Sequence, residues 1–116
     1  MKRVLTFSAL TLASALAFAH AKLHASTPAN GAAVSPAPGE LRLTYNEPVE
    51  AAMSTVKVIG PGNAAVTTDK VVADPSAGKT LVQRLPPLGP GDYRVQWTTM
   101  GHDGHRTRGE IRFTVK

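Results

Sequence analysis

The sequence predicts an all-β domain, a small Greek-key sandwich or barrel of about seven short strands. Apolar and polar residues alternate with a period of two in several segments, whereas no apolar period of 3.6 residues persists over the length of a helix. Clusters of Pro, Gly, Asn and Asp separate these segments at short intervals, as turns separate short strands. The pattern contains no internal repeat and no second domain.

Residues 1–19 have the pattern of a secretory signal peptide. Lys2 and Arg3 precede an apolar run over residues 4–18 that only small hydroxyl residues interrupt. This run is shorter than the ~20 apolar residues that a membrane-spanning helix needs. We therefore expect residues 20–116 to form an exported, soluble mature domain that is not inserted in a membrane.

The cleavage point decides whether His20 belongs to the mature protein. The bonds after Ala19 and after Ala21 both follow the small-x-small rule of signal cleavage. Cleavage after Ala19 is favoured because it directly follows the end of the apolar region, and it makes His20 the N-terminal residue. Cleavage after Ala21 would remove His20.

Charge and cysteine content exclude several classes of site. Removing Lys2 and Arg3 lowers the formal net charge from +5 to +3. The remaining basic residues are scattered between apolar neighbours, which is typical of solvated strand faces and not of a nucleic-acid surface. The chain has no cysteine, so any metal would be bound through nitrogen and oxygen, with sulfur only from Met53 or Met100.

Several alternating segments are each predicted to be a half-buried strand. In chain order they are 41–45, 56–58, 81–85, 93–98 and 111–115. In the third, Leu81 and Leu85 bracket a polar stretch that contains Gln83. The last two should pair at the centre of the core, and their aromatic residues are interpreted as core packing and not as a ligand platform.

A loop with two histidines separates these last two strands, with the sequence Met100-Gly101-His102-Asp103-Gly104-His105. Asp103 and His105 are two residues apart, so in an extended backbone both side chains can reach one ion. Imidazole nitrogen and carboxylate oxygen suit Cu(II), Zn(II) or Ni(II), with Cu(II) first in affinity. Alone the motif indicates a metal only weakly, because Asp and Gly are ordinary turn residues.

An N-terminal His20 strengthens the case for copper. Its amine and its imidazole can chelate one ion together, as a histidine brace, and with His105 they make a three-nitrogen set suited to tetragonal Cu(II). Since an α-amino group has a pKa of about 7.7–8.0, binding should weaken as the pH falls toward about 6. His24 lies ~13 Å from His20 on an extended strand, too far to share the ion. His102 points away from Asp103 in an extended backbone, so we expect it beside the ligands or as a bystander.

From His20 to its end, the sequence resembles the CopC family of periplasmic copper-binding (copper resistance) proteins. Residues 20–23 and 26–31 resemble that family's processed start, in which a histidine is N-terminal, and residues 41–47 resemble its second strand. Residues 91–97, Asp103 with His105, and residues 109–113 resemble its signature end.

The resemblance implies a cupredoxin-like or immunoglobulin-like Greek-key β-barrel that holds one Cu(II) through the amine and ring of His20, through His105 and through Asp103. It places Glu47 near the ligands. The alternative is that Glu47 has no role at the site and only caps a strand before Pro48. It also implies cleavage after Ala19, a periplasmic location and a CopD-type inner-membrane copper transporter as partner.

Some members of that family have a methionine-rich loop that binds Cu(I). The corresponding residues 48–70 contain a single methionine, Met53, which we interpret as a packing residue and not a ligand. We therefore expect a monomeric, non-enzymatic Cu(II) carrier with a single copper site, which buffers or delivers copper.

Two other functions are compatible with these residues. A metal-free interaction domain with surface histidines would not retain copper against a modest chelator. A copper-dependent polysaccharide oxidase can also use an N-terminal histidine, but it needs a flat, often aromatic face. The aromatic residues of the mature domain, Tyr45, Tyr93, Trp97 and Phe113, all stand at inward positions.

Overall fold

The structure, a computed structural model, describes residues 20–116, and the predicted signal peptide lies outside this part of the chain. The described residues form nine strands and two single-turn 3₁₀ helices, Ala51–Met53 and Pro61–Asn63. The strands are β1 Leu23–Thr27, β2 Ala32–Val34, β3 Glu40–Tyr45, β4 Thr55–Ile59, β5 Ala65–Val66, β6 Val72–Asp74, β7 Ala77–Arg84, β8 Gly91–Met100 and β9 Arg106–Val115. No helix within residues 20–116 is long and apolar enough to cross a membrane.

Two sheets make up the domain, one with the strand order β1-β3-β7-β6 and the other with the order β2-β9-β8-β4-β5. The β2–β9 pair is parallel and the other pairs are antiparallel. The all-β prediction is confirmed, and the layers form a sandwich. The strand count exceeds the predicted seven because β2, β5 and β6 have only two or three residues each, too few to show alternation.

The β8–β9 hairpin forms the centre of the core, as predicted. Its register runs from Gly91 opposite Val115 to Met100 opposite Arg106. The inward residues of this hairpin pack against those of the other sheet in one cluster of buried side chains, which includes Leu41, Leu43, Tyr45, Leu81, Tyr93, Val95, Trp97, Ile111 and Phe113. Burying each large apolar side chain stabilises the fold by roughly 1.5–3 kcal/mol.

Gln83 differs from its neighbours in the polar stretch of β7, because it lies in the core with 1% of its surface exposed. It follows the same inward alternation as Leu81. Its side-chain amide donates to the backbone carbonyls of Asp69 at 2.6 Å and Arg84 at 3.1 Å. These two bonds offset the loss of water that burial of an amide entails.

Candidate metal centre

Residues 101–105 connect β8 to β9 at one end of the sandwich. The N–H of Gly104 donates to the carbonyl of Gly101 at 3.0 Å, and the N–H of Gly101 donates to the carbonyl of His105 at 3.1 Å. Gly104 has φ +82°, a left-handed conformation that glycine adopts without strain. The loop is therefore a tight turn, and the proximity of Asp103 and His105 does not depend on an extended backbone.

This turn brings Asp103 and His105 together. One carboxylate oxygen of Asp103 accepts the backbone N–H of His105, and the other lies 3.0 Å from Nδ1 of the His105 ring. The side-chain bond to His105, followed by the backbone bond, lowers the pKa of Asp103 below its ordinary value. Asp103 is thus a carboxylate at neutral pH, and it orients the imidazole as carboxylates do for histidines that bind metals.

His20 joins these two residues from the other end of the chain. Its ring meets the His105 ring edge-on, with the centroids 5.0 Å apart and the planes at 85°. One ligand atom from each of His20, Asp103 and His105 lies within 4.8 Å of the others. Since metal–nitrogen and metal–oxygen bonds are about 2.0–2.2 Å long, a single ion can reach all three residues after small side-chain adjustments.

Two threonines hold the segment after His20 in place. The Thr107 hydroxyl donates to the carbonyl of Ala21 at 2.7 Å, and the Thr99 hydroxyl lies 3.2 Å from that of Thr107. Because Thr107 has one proton, Thr99 is the donor of this second bond. Thr99 and Ala21 are at most 1% exposed, so this chain of hydrogen bonds fixes the backbone next to His20 to the central hairpin.

Sequence reasoning missed these threonines, although the pattern contained a signal. Thr99 continues the inward series of Tyr93, Val95 and Trp97, and Thr107 stands in phase with Ile111 on β9. A hydroxyl at an inward position of a strand needs a partner inside the protein, and that partner is the N-terminal segment.

Asn46 ties the same segment to the end of β3. Its side-chain oxygen accepts the N–H of Lys22 at 2.8 Å, and its own N–H donates to the carbonyl of Lys22 at 3.0 Å. The next residue, Glu47, places its side chain against the turn, where a Cβ on Gly101 would overlap Glu47 Oε1 and lie 3.0 Å from Asp103 Oδ1. Glu47 therefore lies close to Asp103, one of the ligand candidates.

The surroundings of the Glu47 carboxylate also indicate that a cation fits this end of the molecule. Its Oε1 atom is buried and has no hydrogen-bond partner within residues 20–116. A buried carboxylate oxygen without a partner is costly in free energy, and a cation nearby offsets that cost. Two carboxylates and two imidazoles at one place are a donor set that fits a divalent ion such as Cu(II).

The remaining histidines lie outside the three-residue cluster. Nε2 of His102 is 3.0 Å from a carboxylate oxygen of Glu50, and His24 is an exposed residue of β1. His102 thus pairs with an acid that the sequence did not single out. Met53 is 43% exposed, so the interpretation of Met53 as a packing residue is wrong, because a short 3₁₀ helix without any buried residue carries it.

The chain is similar in sequence to proteins named for copper resistance and copper transport. A model of the CopC domain matches residues 23–116. Copper resistance protein C of Xanthomonas campestris pv. juglandis is 35% identical over 93% of this chain and 89% of its own length. The copper transport protein CutJ of Bacillus subtilis is 31% identical over 84% of this chain, which corresponds to 18% of its own length.

A solved structure has the same fold. The crystal structure of PcoC, a methionine-rich copper resistance protein from Escherichia coli, superposes with a TM-score of 0.77 at 31% identity. The match covers 84% of this chain and all of the PcoC chain. The similarity therefore extends over the whole sandwich, including the end that holds the three-residue cluster.

Proposed function

The chain belongs to the CopC family, and on that premise we propose that it binds one Cu(II) ion in the periplasm and buffers or delivers it. The observation that carries the proposal is the convergence of His20, Asp103 and His105 within 4.8 Å. The similar proteins named for copper resistance and copper transport support copper as the metal.

In this proposal the ligands come from both ends of the domain. Cleavage after Ala19 gives His20 a free amine, which chelates copper together with the His20 ring. His105 contributes a ring nitrogen and Asp103 a carboxylate oxygen. This nitrogen-rich set favours Cu(II) among the divalent first-row metals, and the nearby charge of Glu47 adds to the attraction for a cation.

The relation to CutJ supports a copper transport protein as partner. A segment similar to this chain makes up 18% of CutJ, so within that copper transport protein the segment is joined covalently to a much longer chain. A separate protein of the same fold can serve the same role through association. We propose that this protein exchanges copper with a CopD-type inner-membrane transporter.

A carrier role without catalysis fits the distribution of aromatic residues. Tyr45, Tyr93, Trp97 and Phe113 are all at most 6% exposed. The described residues therefore offer no aromatic face on which a polysaccharide could lie, which supports binding over oxidation of such a substrate.

The test is native mass spectrometry of the secreted protein with one equivalent of Cu(II). We expect a chain that begins at His20 and retains one copper.

His20→Ala and His105→Ala should each weaken Cu(II) binding by about 100-fold or more, because each removes a ligand. His24→Ala is the matched control and should bind copper like the wild type. Undiminished affinity in His105→Ala, or a chain that begins at Lys22, would contradict the proposed site.

A further inference from the structure

A groove with a basic rim lies directly beside the metal cluster. His20 and Trp97 lie along it, and Lys22, Arg106 and Arg108 supply three cations around it. All three cations are exposed to solvent. We call this feature, defined by Lys22, Arg106 and Arg108, the basic groove.

The cations of the basic groove make no ion pair within residues 20–116. The ion pairs of this part of the chain use other cations, namely Arg42, Arg94, Arg112, His102 and His105. No Asp or Glu lines the groove. Clustered like charges repel one another, so an anionic partner would supply the compensation that the fold itself does not.

The acid closest to the groove along β9 is already engaged elsewhere. Glu110 accepts a hydrogen bond from Gln96 at 3.3 Å and pairs with Arg112 at 3.3 Å and with Arg94 at 3.7 Å. Glu110 is therefore held by neighbours on the side away from Arg106, and the positive charge of the basic groove remains available to a ligand.

The spacing of the cations indicates the shape of that ligand. Arg106 and Arg108 are two residues apart on β9, so their side chains project from the same face about 7 Å from each other. Carboxylates at alternate positions of an extended peptide have the same spacing. Each guanidinium can bind a carboxylate through two parallel hydrogen bonds.

The groove suits a protein segment better than a membrane surface. Within residues 20–116 the exposed large apolar side chains are Met53 and Val72, and neither lines the groove. Apolar side chains that enter the membrane interface strengthen binding there, and without them three cations supply only about 1 kcal/mol each toward an anionic surface. An acidic extended peptide needs only the charges and the strand-like spacing that are present.

We propose that the basic groove docks an acidic, extended segment of the protein that exchanges copper with this chain, an inference that rests on the function proposed above. Docking there brings the partner's chain next to His20, where copper would be passed on. Complementary charge at this place also accelerates encounter and selects for the correct orientation.

The experiment measures fluorescence anisotropy of a labelled peptide of alternating Asp and Ser residues with the copper-free protein at low ionic strength. The wild type should bind, with affinity that falls as salt is added. The double variant Arg106→Gln with Arg108→Gln should bind about tenfold more weakly. Lys79→Gln with Arg84→Gln removes two exposed cations of β7 on the other sheet and should bind like the wild type.

Equal peptide affinity of the wild type and the Arg106/Arg108 variant, or equal weakening in the β7 control, would overturn the proposal. Binding to phosphatidylglycerol vesicles without binding to the peptide would overturn it in favour of a lipid surface.

Cu(II) affinity is measured on the same proteins, and the Arg106/Arg108 variant should retain it. A wild type that binds the peptide through the two arginines but not copper would overturn the proposed function, while the preference of the groove for acidic peptides would stand.

Discussion

At the scale of single residues, the Thr107 hydroxyl holds the carbonyl of Ala21, next to His20, and we predict that it thereby positions His20 as a copper ligand. In Thr107→Val the buried carbonyl of Ala21 loses its donor, and Thr99 loses its acceptor. We expect Cu(II) affinity to fall by about tenfold, as it does when groups that orient metal ligands are removed. The electron paramagnetic resonance spectrum of bound Cu(II) should also change, because the His20 chelate is no longer held in one orientation.

The matched control is Thr114→Val. Thr114 is on the same strand, and its hydroxyl donates to Asp92 at 2.7 Å, far from the turn that holds Asp103. Thr114→Val should leave copper affinity and the spectrum unchanged. If Thr107→Val lowers the stability to urea but its Cu(II) spectrum equals that of the wild type, the role of Thr107 is only structural and the prediction is wrong.

The candidate ligands could be predicted from sequence, but the residues that hold them could not. The spacing of Asp103 and His105 indicated a metal only weakly by itself, and the candidate set of His20, Asp103 and His105 followed from the expected N-terminal His20 and from the resemblance to the CopC family. The Thr107 hydroxyl donates to a backbone carbonyl 86 residues away, and the Asn46 side-chain oxygen accepts the backbone N–H of Lys22. The alternation places the Thr99 and Thr107 hydroxyls at inward positions, but which distant backbone group each contacts depends on how the sheets pack.

At the scale of elements, the β8–β9 hairpin depends on a glycine opposite Trp97. Gly109 pairs with Trp97 across the two strands, and a Cβ at this position would overlap the indole ring. Gly109→Ala should destabilise the protein by about 1–3 kcal/mol through overpacking. Urea unfolding followed by Trp97 fluorescence measures the loss.

Gly78→Ala on β7 is the control, because a Cβ there meets no atom within 4 Å. It should change the free energy of unfolding by less than about 0.5 kcal/mol. Equal stability of Gly109→Ala and Gly78→Ala would show that the hairpin adjusts to the added methyl group, contrary to this account.

Alternation predicted the long strands well, since β3, β8 and β9 have at least six residues each and bury alternate side chains. It could not predict β2, β5 and β6, which have two or three residues and exist because neighbouring strands offer hydrogen bonds. A loop between β8 and β9 was predicted, but its hydrogen bonds were not, namely those from the backbone and ring of His105 to Asp103.

At the scale of the whole molecule, an ion pair across three strands links stability to pH. Arg42 on β3 reaches across β7 to hydrogen-bond Asp74 at the end of β6. This bond, followed by those from the backbone and hydroxyl of Ser76, lowers the pKa of Asp74 to about 2. A carboxyl with a lowered pKa in the folded state stabilises that state above its ordinary pKa, and the contribution disappears as the pH falls through the folded value.

We therefore expect part of the unfolding free energy to disappear between about pH 4 and pH 2. Asp74→Asn should be less stable at neutral pH and should show a smaller decrease over this window. Chemical denaturation at several pH values checks this expectation. Asp69→Asn, which changes an exposed acid on the adjacent loop, should follow the wild type, and an Asp74→Asn variant with the same pH dependence as the wild type would refute the assignment.

The hydrogen bond from Thr107 to Ala21 also has a consequence for biogenesis. It joins positions separated by 86 residues, and Asp103 and His105 lie just before β9, the last strand described. A chain that has been exported only in part presents His20 without its partners. Metal loading of the proposed site would thus follow assembly of the full sandwich, and a fragment that ends before the final hairpin would lack two of its three ligand candidates.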